Sequence, residues 1–316
     1  MNKIGILQDP HYLEHLTGPM HPERPERLKA IQKMLENSGL ANKAHSLIPR
    51  EATEDEIALI HTRDLIEEVK HTEGHTSTYL DGDTHASAHS WKAAKLAVGG
   101  LLVASDELLQ GTLDEAFAFP RPPGHHAERD HAMGFCLFNN VAIAAEYALK
   151  KYGLKKIVIL DFDVHHGNGT QHIFENRSDV FYISTHQYPF YPGTGAFSER
   201  GKGAGEGYTL NFPLPAGSDD AIYADIFKER IEGEVIQYKP DFLIISAGFD
   251  AHKRDPLGGM EVSRFGFKAM AESIEKMKKA CGNIPVLYAL EGGYDLEGLS
   301  ESVKEVVDVM LKGENK

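Results

Sequence analysis

Apolar residues gather in short, dense runs at 3–7 (KIGIL), 115–120 (EAFAFP), 156–163 (KIVILDFD), 180–185 (VFYIST), 208–214 (YTLNFPL), 242–250 (FLIISAGFD) and 286–293 (VLYALEGG). Several are near-continuous Val, Ile, Leu and Phe rather than alternating, the pattern of strands covered on both faces of a parallel sheet. Between them the period changes. Phe267, Met270, Ile274 and Met277 recur at three- and four-residue steps in 266–280, as do Leu299, Val303, Val306, Val307 and Met310 in 298–312, which predicts amphipathic helices. Thr53 and Glu56 form a capping box ahead of another helix, and Gly39 is placed to stop the first. This alternation predicts an α/β fold: an open, mostly parallel sheet with helices on both faces. No linker, low-complexity run or repeat divides the chain, so a single domain over 1–316 is expected.

Composition narrows the classes of function. At 41% hydrophobic and 25% charged the chain is of ordinary globular type, and its net charge of −14 argues against direct nucleic-acid binding. No run reaches the roughly 18 apolar residues of a membrane span, and the N-terminus lacks the basic and apolar regions of a signal peptide. Two cysteines, Cys136 and Cys281, give no disulfide framework and fit a reducing compartment, so a cytoplasmic location is expected.

Sheets of this type place their sites outside the carboxyl ends of the strands. Four strand ends here lead into chemically capable side chains: His125 and His126 after 115–120; Asp161, Asp163, His165 and His166 after 156–160; Asp250 after 242–249; and Tyr294 after 286–293. Residues two apart in an extended segment point to one side, so Asp163 and His165 offer an oxygen and a nitrogen to one point, and Asp250 adds a third ligand. Two carboxylates and an imidazole leave positions open, as a catalytic zinc-type site requires. The donor set also admits ferrous iron.

A metal that activates water needs a proton acceptor beside it. His125 and His126, on a stiff Pro-Pro-Gly turn, suit that task. Asp161 and Asn168 are candidate orienting partners; one is charged and the other neutral, which would give the two imidazoles different proton affinities. Tyr294, after two glycines, can donate to an oxyanion. Taken singly, each of these has a plain structural reading as a helix cap, a loop histidine or a packed tyrosine. Together they describe metal-assisted amide hydrolysis.

At this point the chain resembles the histone deacetylase family, including its bacterial and archaeal members and the acetylpolyamine amidohydrolases. The resemblance rests on HPERPERL (21–28), RPPGHH (121–126), GFCLFNN (134–140), DFDVHHGNGTQ (161–171), YPGTG (191–195), SAGFDAH (246–252), DPLGG (255–259) and LEGGY (290–294), in family order across nearly the whole length. It implies an arginase-like single domain around an eight-stranded parallel sheet, with zinc on Asp163, His165 and Asp250. It also implies His126 as general base and acid, His125 in support, Asp161 and Asn168 as their respective partners, and Tyr294 at the transition state. Asn168, where some members have aspartate, resembles the class II branch. Structural potassium would be held by Asp161, Asp163, His165 and Ser184, and a second ion by backbone oxygens of Phe174, Arg177, Val180 and Tyr208. Gly134, Phe135, Phe190 and Leu257 would line an acyl-lysine tunnel, with Asp83 at its rim. The implied substrate is acetylated lysine in protein, peptide or small molecule. Acetylpolyamine is the alternative, which an apolar Leu257 disfavours, and a non-catalytic acyl-lysine binding module is a remote one.

Overall fold

The computed structural model describes residues 2–313. Met1 and residues 314–316, which the sequence-derived domain bounds include, lie outside the described residues. The first third of the chain carries β1 (Ile4–Leu7), α1 (Glu26–Asn37), β2 (His45–Leu47), α2 (Glu54–Ile57), α3 (Arg63–Lys70), β3 (Thr78–Tyr79), β4 (His85–Ala86) and α4 (Ser90–Leu109). There follow β5 (Glu115–Ala118), α5 (Asn140–Tyr152), β6 (Ile157–Asp161), α6 (Asn168–Phe174), β7 (Val180–Gln187) and β8 (Thr209–Leu214). The last part holds α7 (Asp220–Ile226), α8 (Glu232–Tyr238), β9 (Phe242–Ala247), α9 (Arg264–Ala280), β10 (Val286–Leu290) and α10 (Leu296–Lys312).

Eight strands form one sheet in the order β2-β1-β5-β10-β9-β6-β7-β8, with every neighbouring pair parallel. All seven apolar runs become strands of it. The eighth, β2, was not read from the sequence: it is a three-residue edge strand whose His45 and Ser46 are exposed, so no apolar run marks it. The small antiparallel pair β3–β4 was also unread.

The helices form where the pattern places them. In α9 the stripe Phe267, Met270, Ile274 and Met277 is fully buried, each side chain contributing roughly 1.5–3 kcal/mol by leaving water. Ser263 caps its start by accepting the N–H of Phe265, and Asp295 does the same for α10 from Gly298. The Thr53–Glu56 capping box forms as read, but α2 behind it is a single turn. Helices α1, α10 and α9 pack as one layer and α4 with α5 as another, enclosing the sheet. Among the described residues no helix is long and apolar enough to cross a membrane.

Candidate active site

The four strand ends singled out in the sequence belong to four adjacent strands, β5-β10-β9-β6, at the centre of the sheet. Parallel pairing sends all four carboxyl ends the same way, so residues 36 to 167 positions apart in sequence meet in one place. The strands themselves stop earlier than the apolar runs. Strand β6 ends at Asp161, and Asp163 and His165 lie in the turn beyond it rather than in an extended segment. The two side chains still converge, because the turn brings His165 Nδ1 within 3.1 Å of Asp163 Oδ1.

Asp250 completes the cluster: its Oδ2 lies 3.2 Å from the same His165 nitrogen. One ligand atom from each of the three lies within 4.8 Å of the others, a spacing that could hold a metal ion. The remaining carboxylate oxygens are tied back, Asp163 Oδ2 accepting the N–H of Gly292 at 2.8 Å and Asp250 Oδ1 that of Val164 at 2.8 Å. A Cβ at Gly292 would collide with both carboxylates, so only glycine lets the segment just beyond β10 pass this close. Burial opposes charge at Asp250, and with Asp163 beside it the carboxyl is pushed up to about 7. Burial also opposes charge on His165, but its two carboxylate neighbours outweigh it and raise the imidazole to about 10. The donor set calls for a positive charge at its centre, which fits a divalent cation.

The histidine pair sits beside this cluster with ring centroids 4.0 Å apart. His125 Nδ1 meets Asp161 Oδ2 at 3.0 Å, and His126 Nδ1 meets Asn168 Oδ1 at 2.7 Å. The two rings therefore differ in their partners and in their charge. Burial disfavours a charged His125, yet Asp161, Asp163 and Glu291 together raise it to about 10. Burial lowers His126 well below the usual histidine range, and the neighbouring His125 and His165 lower it further. Proton affinity is thus pushed up at one imidazole and down at the other.

A cavity of about 470 Å³ opens onto this pair and is lined by His165, Tyr294, Gly134, Phe135, Phe190, Leu257 and Asp83 among others. Phe190 stacks on His165 with ring centroids 5.4 Å apart, and Phe135 meets Tyr294 edge-on at 6.0 Å. Gly134 and Phe135 both have positive φ, 57° and 68°, and a Cβ at Gly134 would enter the His126 ring. Phe135 is thus held in a strained backbone conformation against the wall. Asp83 Oδ1 accepts the Gly134 N–H at 3.1 Å. Burial keeps the Tyr294 phenol protonated, its pKa raised well above 10.

The residues read as potassium ligands also fall into two places. Ser184 pairs in register with Asp161 across β6 and β7 and is fully buried. Phe174, Arg177, Val180 and Tyr208 gather where α6 ends and β7 begins: the Phe174 carbonyl accepts the Arg177 N–H at 2.9 Å, and that of Tyr208 accepts the Tyr182 N–H at 3.1 Å.

Several residues of the site were not read from the sequence. Glu291 Oε2 accepts the N–H groups of Gly124 and His125 at 2.7 and 3.2 Å, fixing the turn that carries the histidines. Tyr191 packs edge-on to His126 at 5.2 Å. Fully buried Arg27 donates to the carbonyls of Gly293 at 2.6 Å and Glu291 at 2.5 Å. Glu23 holds both Arg27 and Arg121, and Arg121 in turn ties down the carbonyls of Tyr12 and His15. Glu23 and Arg27 of the HPERPERL segment therefore form a buried brace under the strand end that bears Tyr294.

Comparison with known proteins agrees with this geometry. Residues 21–310 match the histone deacetylase domain. Histone deacetylase 15 of Arabidopsis thaliana is 43% identical over 300 residues, covering 93% of this chain and 53% of the plant protein. The chain thus spans about half the length of that relative. A probable deacetylase of Archaeoglobus fulgidus is 39% identical over 297 residues, covering 93% of this chain and 82% of its own. The crystal structure of the HDA15 HD domain superposes with a TM-score of 0.94 at 40% identity, covering 100% of this chain and 90% of that one.

Proposed function

Because the chain belongs to the histone deacetylase family, we propose that it is a zinc-dependent amidohydrolase that removes acetyl groups from the side-chain amine of acetyl-lysine. The observation that carries this reading is the convergence of Asp163, His165 and Asp250 within 4.8 Å beside a buried His126 whose Nδ1 is engaged by Asn168. Those three residues would hold the ion. Zinc bound there would supply Lewis acidity to a carbonyl and a lowered pKa to a water; ferrous iron suits the same donors.

The chain's own residues divide the remaining work. His126, whose Nδ1 is engaged by Asn168, takes a proton from the attacking water at Nε2 and returns it to the leaving amine. His125, held cationic by Asp161, offsets the negative charge that builds beside it. The Tyr294 phenol stays protonated and donates to the oxyanion. Gly134, Phe135, Phe190 and Leu257 would enclose the four-carbon stem of the lysine, and Asp83 at the rim would hold the substrate backbone. Potassium on Asp161, Asp163, His165 and Ser184, and on the carbonyls of Phe174, Arg177, Val180 and Tyr208, would brace the site structurally. Acetylpolyamine is the second substrate class, sharing the chemistry; the apolar Leu257 in the cavity wall favours lysine.

The test is kcat/KM for acetyl-lysine peptides and N-acetylpolyamines side by side, on zinc-loaded protein with a Tyr294→Phe control. Preferred turnover of peptides, with the control reduced about 10²–10³-fold in kcat, supports the proposal. Preferred turnover of acetylpolyamines replaces the substrate and keeps the mechanism. Binding without turnover of either removes the enzyme assignment.

A further inference from the structure

Asn168 is 2% exposed and forms the neutral link in a chain of polar contacts that runs from the reacting histidine to the surface. Its Oδ1 faces His126 Nδ1 at 2.7 Å, and its Nδ2 donates to Glu128 Oε1 at 2.6 Å. The same Nδ2 also reaches the His126 carbonyl and Met133 Sδ, both at 3.3 Å. Beyond Glu128, His172 Nδ1 lies 2.7 Å from the same carboxylate oxygen and is partly exposed.

A carboxamide presents an acceptor at one end and a donor at the other, in nearly the same shape. With Oδ1 toward His126, the ring carries its proton on Nδ1 and leaves Nε2 as a lone pair. With the amide turned, its NH₂ would face Nδ1, which would then have to accept, and the ring proton would move to Nε2. A histidine protonated at Nε2 cannot take a proton from water there. An aspartate in this position would have no such problem, since both its oxygens accept. An asparagine needs something to decide which way it lies. Glu128 has only acceptors to offer, so it can pair with the NH₂ end alone, and a turned amide would bring two oxygens into contact.

We propose that Glu128 is a positioning residue for the hydrolysis: by orienting the Asn168 amide it fixes the tautomer of His126 and keeps Nε2 available as the base. The proposal rests on the reading of His126 as the base. His172 holds the Glu128 carboxylate from its outer side.

The experiment compares wild type, Glu128→Ala, Glu128→Gln, Asn168→Asp and the double variant Glu128→Ala/Asn168→Asp as zinc-loaded full-length chains. It reads kcat and KM on an acetyl-lysine peptide together with the ¹⁵N imidazole NMR pattern of His126. Glu128→Ala is expected to lower kcat about tenfold or more, up to the roughly 10²–10⁴ that a general base contributes in full, with KM little changed. Glu128→Gln, whose carbonyl can still accept from Asn168, is expected to recover most of the loss. In the Asn168→Asp background, Glu128→Ala is expected to cost nothing, because a carboxylate needs no orienting and loses a like-charged neighbour. The NMR pattern is expected to show Nδ1–H alone in wild type and a mixture of tautomers in Glu128→Ala. An equal loss from Glu128→Ala in both backgrounds overturns the proposal, and so does an unchanged His126 pattern. The NMR arm decides it even where no variant turns over the peptide, an outcome that would remove the deacetylase reading by itself.

Discussion

Asp255 accepts the backbone N–H of Tyr294 at 2.6 Å through Oδ2. The same oxygen takes the N–H of Asp295 at 3.2 Å, and Oδ1 takes that of Leu257 at 2.9 Å. One buried carboxylate therefore sets both the phenol and the apolar wall opposite it. Asp255→Ala strips three backbone donors of a charged acceptor, at about 1.5–3 kcal/mol for each bond that water cannot replace. The expected result is a stability loss of roughly 3 kcal/mol by urea unfolding and a fall in kcat of about 10–100-fold from misplacement of Tyr294. Asp255→Asn keeps one acceptor and should fall between. A variant that loses stability but keeps kcat would show that the Tyr294 loop is held from elsewhere.

The proposed metal site, Asp163, His165 and Asp250, predicts its own dependence. Asp163→Ala and Asp250→Ala each remove one of three ligands and are expected to reduce retained zinc to below about a tenth per chain, measured by elemental analysis after dialysis. In wild type, chelation should abolish turnover and lower Tm, since an ion whose Kd lies about a thousandfold below its free concentration stabilises the fold by about 4 kcal/mol. Restoring zinc should restore both. If the Asp163→Ala protein retains a full equivalent of metal, the ion sits elsewhere.

What the sequence reveals about this site depends on how each residue acts. The histidine pair, Asp163, His165, Asp250 and Tyr294 are legible because each lies at or a few residues past the end of a buried apolar run, and parallel pairing brings those ends together. Helix α4 carries no readable stripe, because Trp91, Ala94, Ala97, Val98, Leu101, Leu102 and Ala104 are buried around most of its circumference. Glu23 and Asp255 lie inside quoted motifs and Glu128 lies in none, but no pattern along the chain shows what any of the three holds. Each works on a partner remote in sequence, Glu23 on Arg121 98 positions away and Glu128 on Asn168 40 positions away. Glu291 does carry a clue, a lone charge at the end of the run VLYAL, where a buried carboxylate must have donors waiting.

A pH dependence of stability follows from His61. It is 3% exposed, its Nε2 accepts the Asn139 N–H at 2.8 Å, and its Nδ1 donates to the Glu128 carbonyl at 2.9 Å. Burial lowers its pKa to about 4. In the unfolded chain it protonates near 6.5, so below that pH the unfolded state binds the extra proton. The stabilisation is therefore whole above about pH 7 and is lost as pH falls toward 4. With His61→Gln as a reference that cannot titrate, the wild-type advantage in urea unfolding should be flat from pH 8 to 7. It should then shrink by about 1.4 kcal/mol per unit between pH 6 and 4.5. A difference that does not change with pH would mean that His61 binds its proton equally well in the folded and unfolded chain.

Leu257 offers the sharpest control of substrate class. Its side chain lines the cavity and its backbone is anchored by Asp255, so a new side chain there should keep its place. In the proposed binding mode an acetyl-lysine stem would present only methylenes to this wall, whereas an acetylpolyamine would carry a second ammonium past it. Leu257→Glu sets a carboxylate in the path of that cation and against the apolar stem. At partly exposed distances such a pair is worth about 1 kcal/mol or somewhat more, so the ratio of kcat/KM for acetylpolyamine over acetyl-lysine peptide should rise about tenfold. The gain should shrink as salt is raised to 0.5 M, because screening acts on the new pair and leaves the apolar contacts alone. Leu257→Gln separates charge from lost hydrophobic contact: it should weaken the peptide without favouring the polyamine. If Leu257→Glu and Leu257→Gln shift the ratio equally, the distal ammonium does not pass this residue and selection between the two substrates lies elsewhere on the rim.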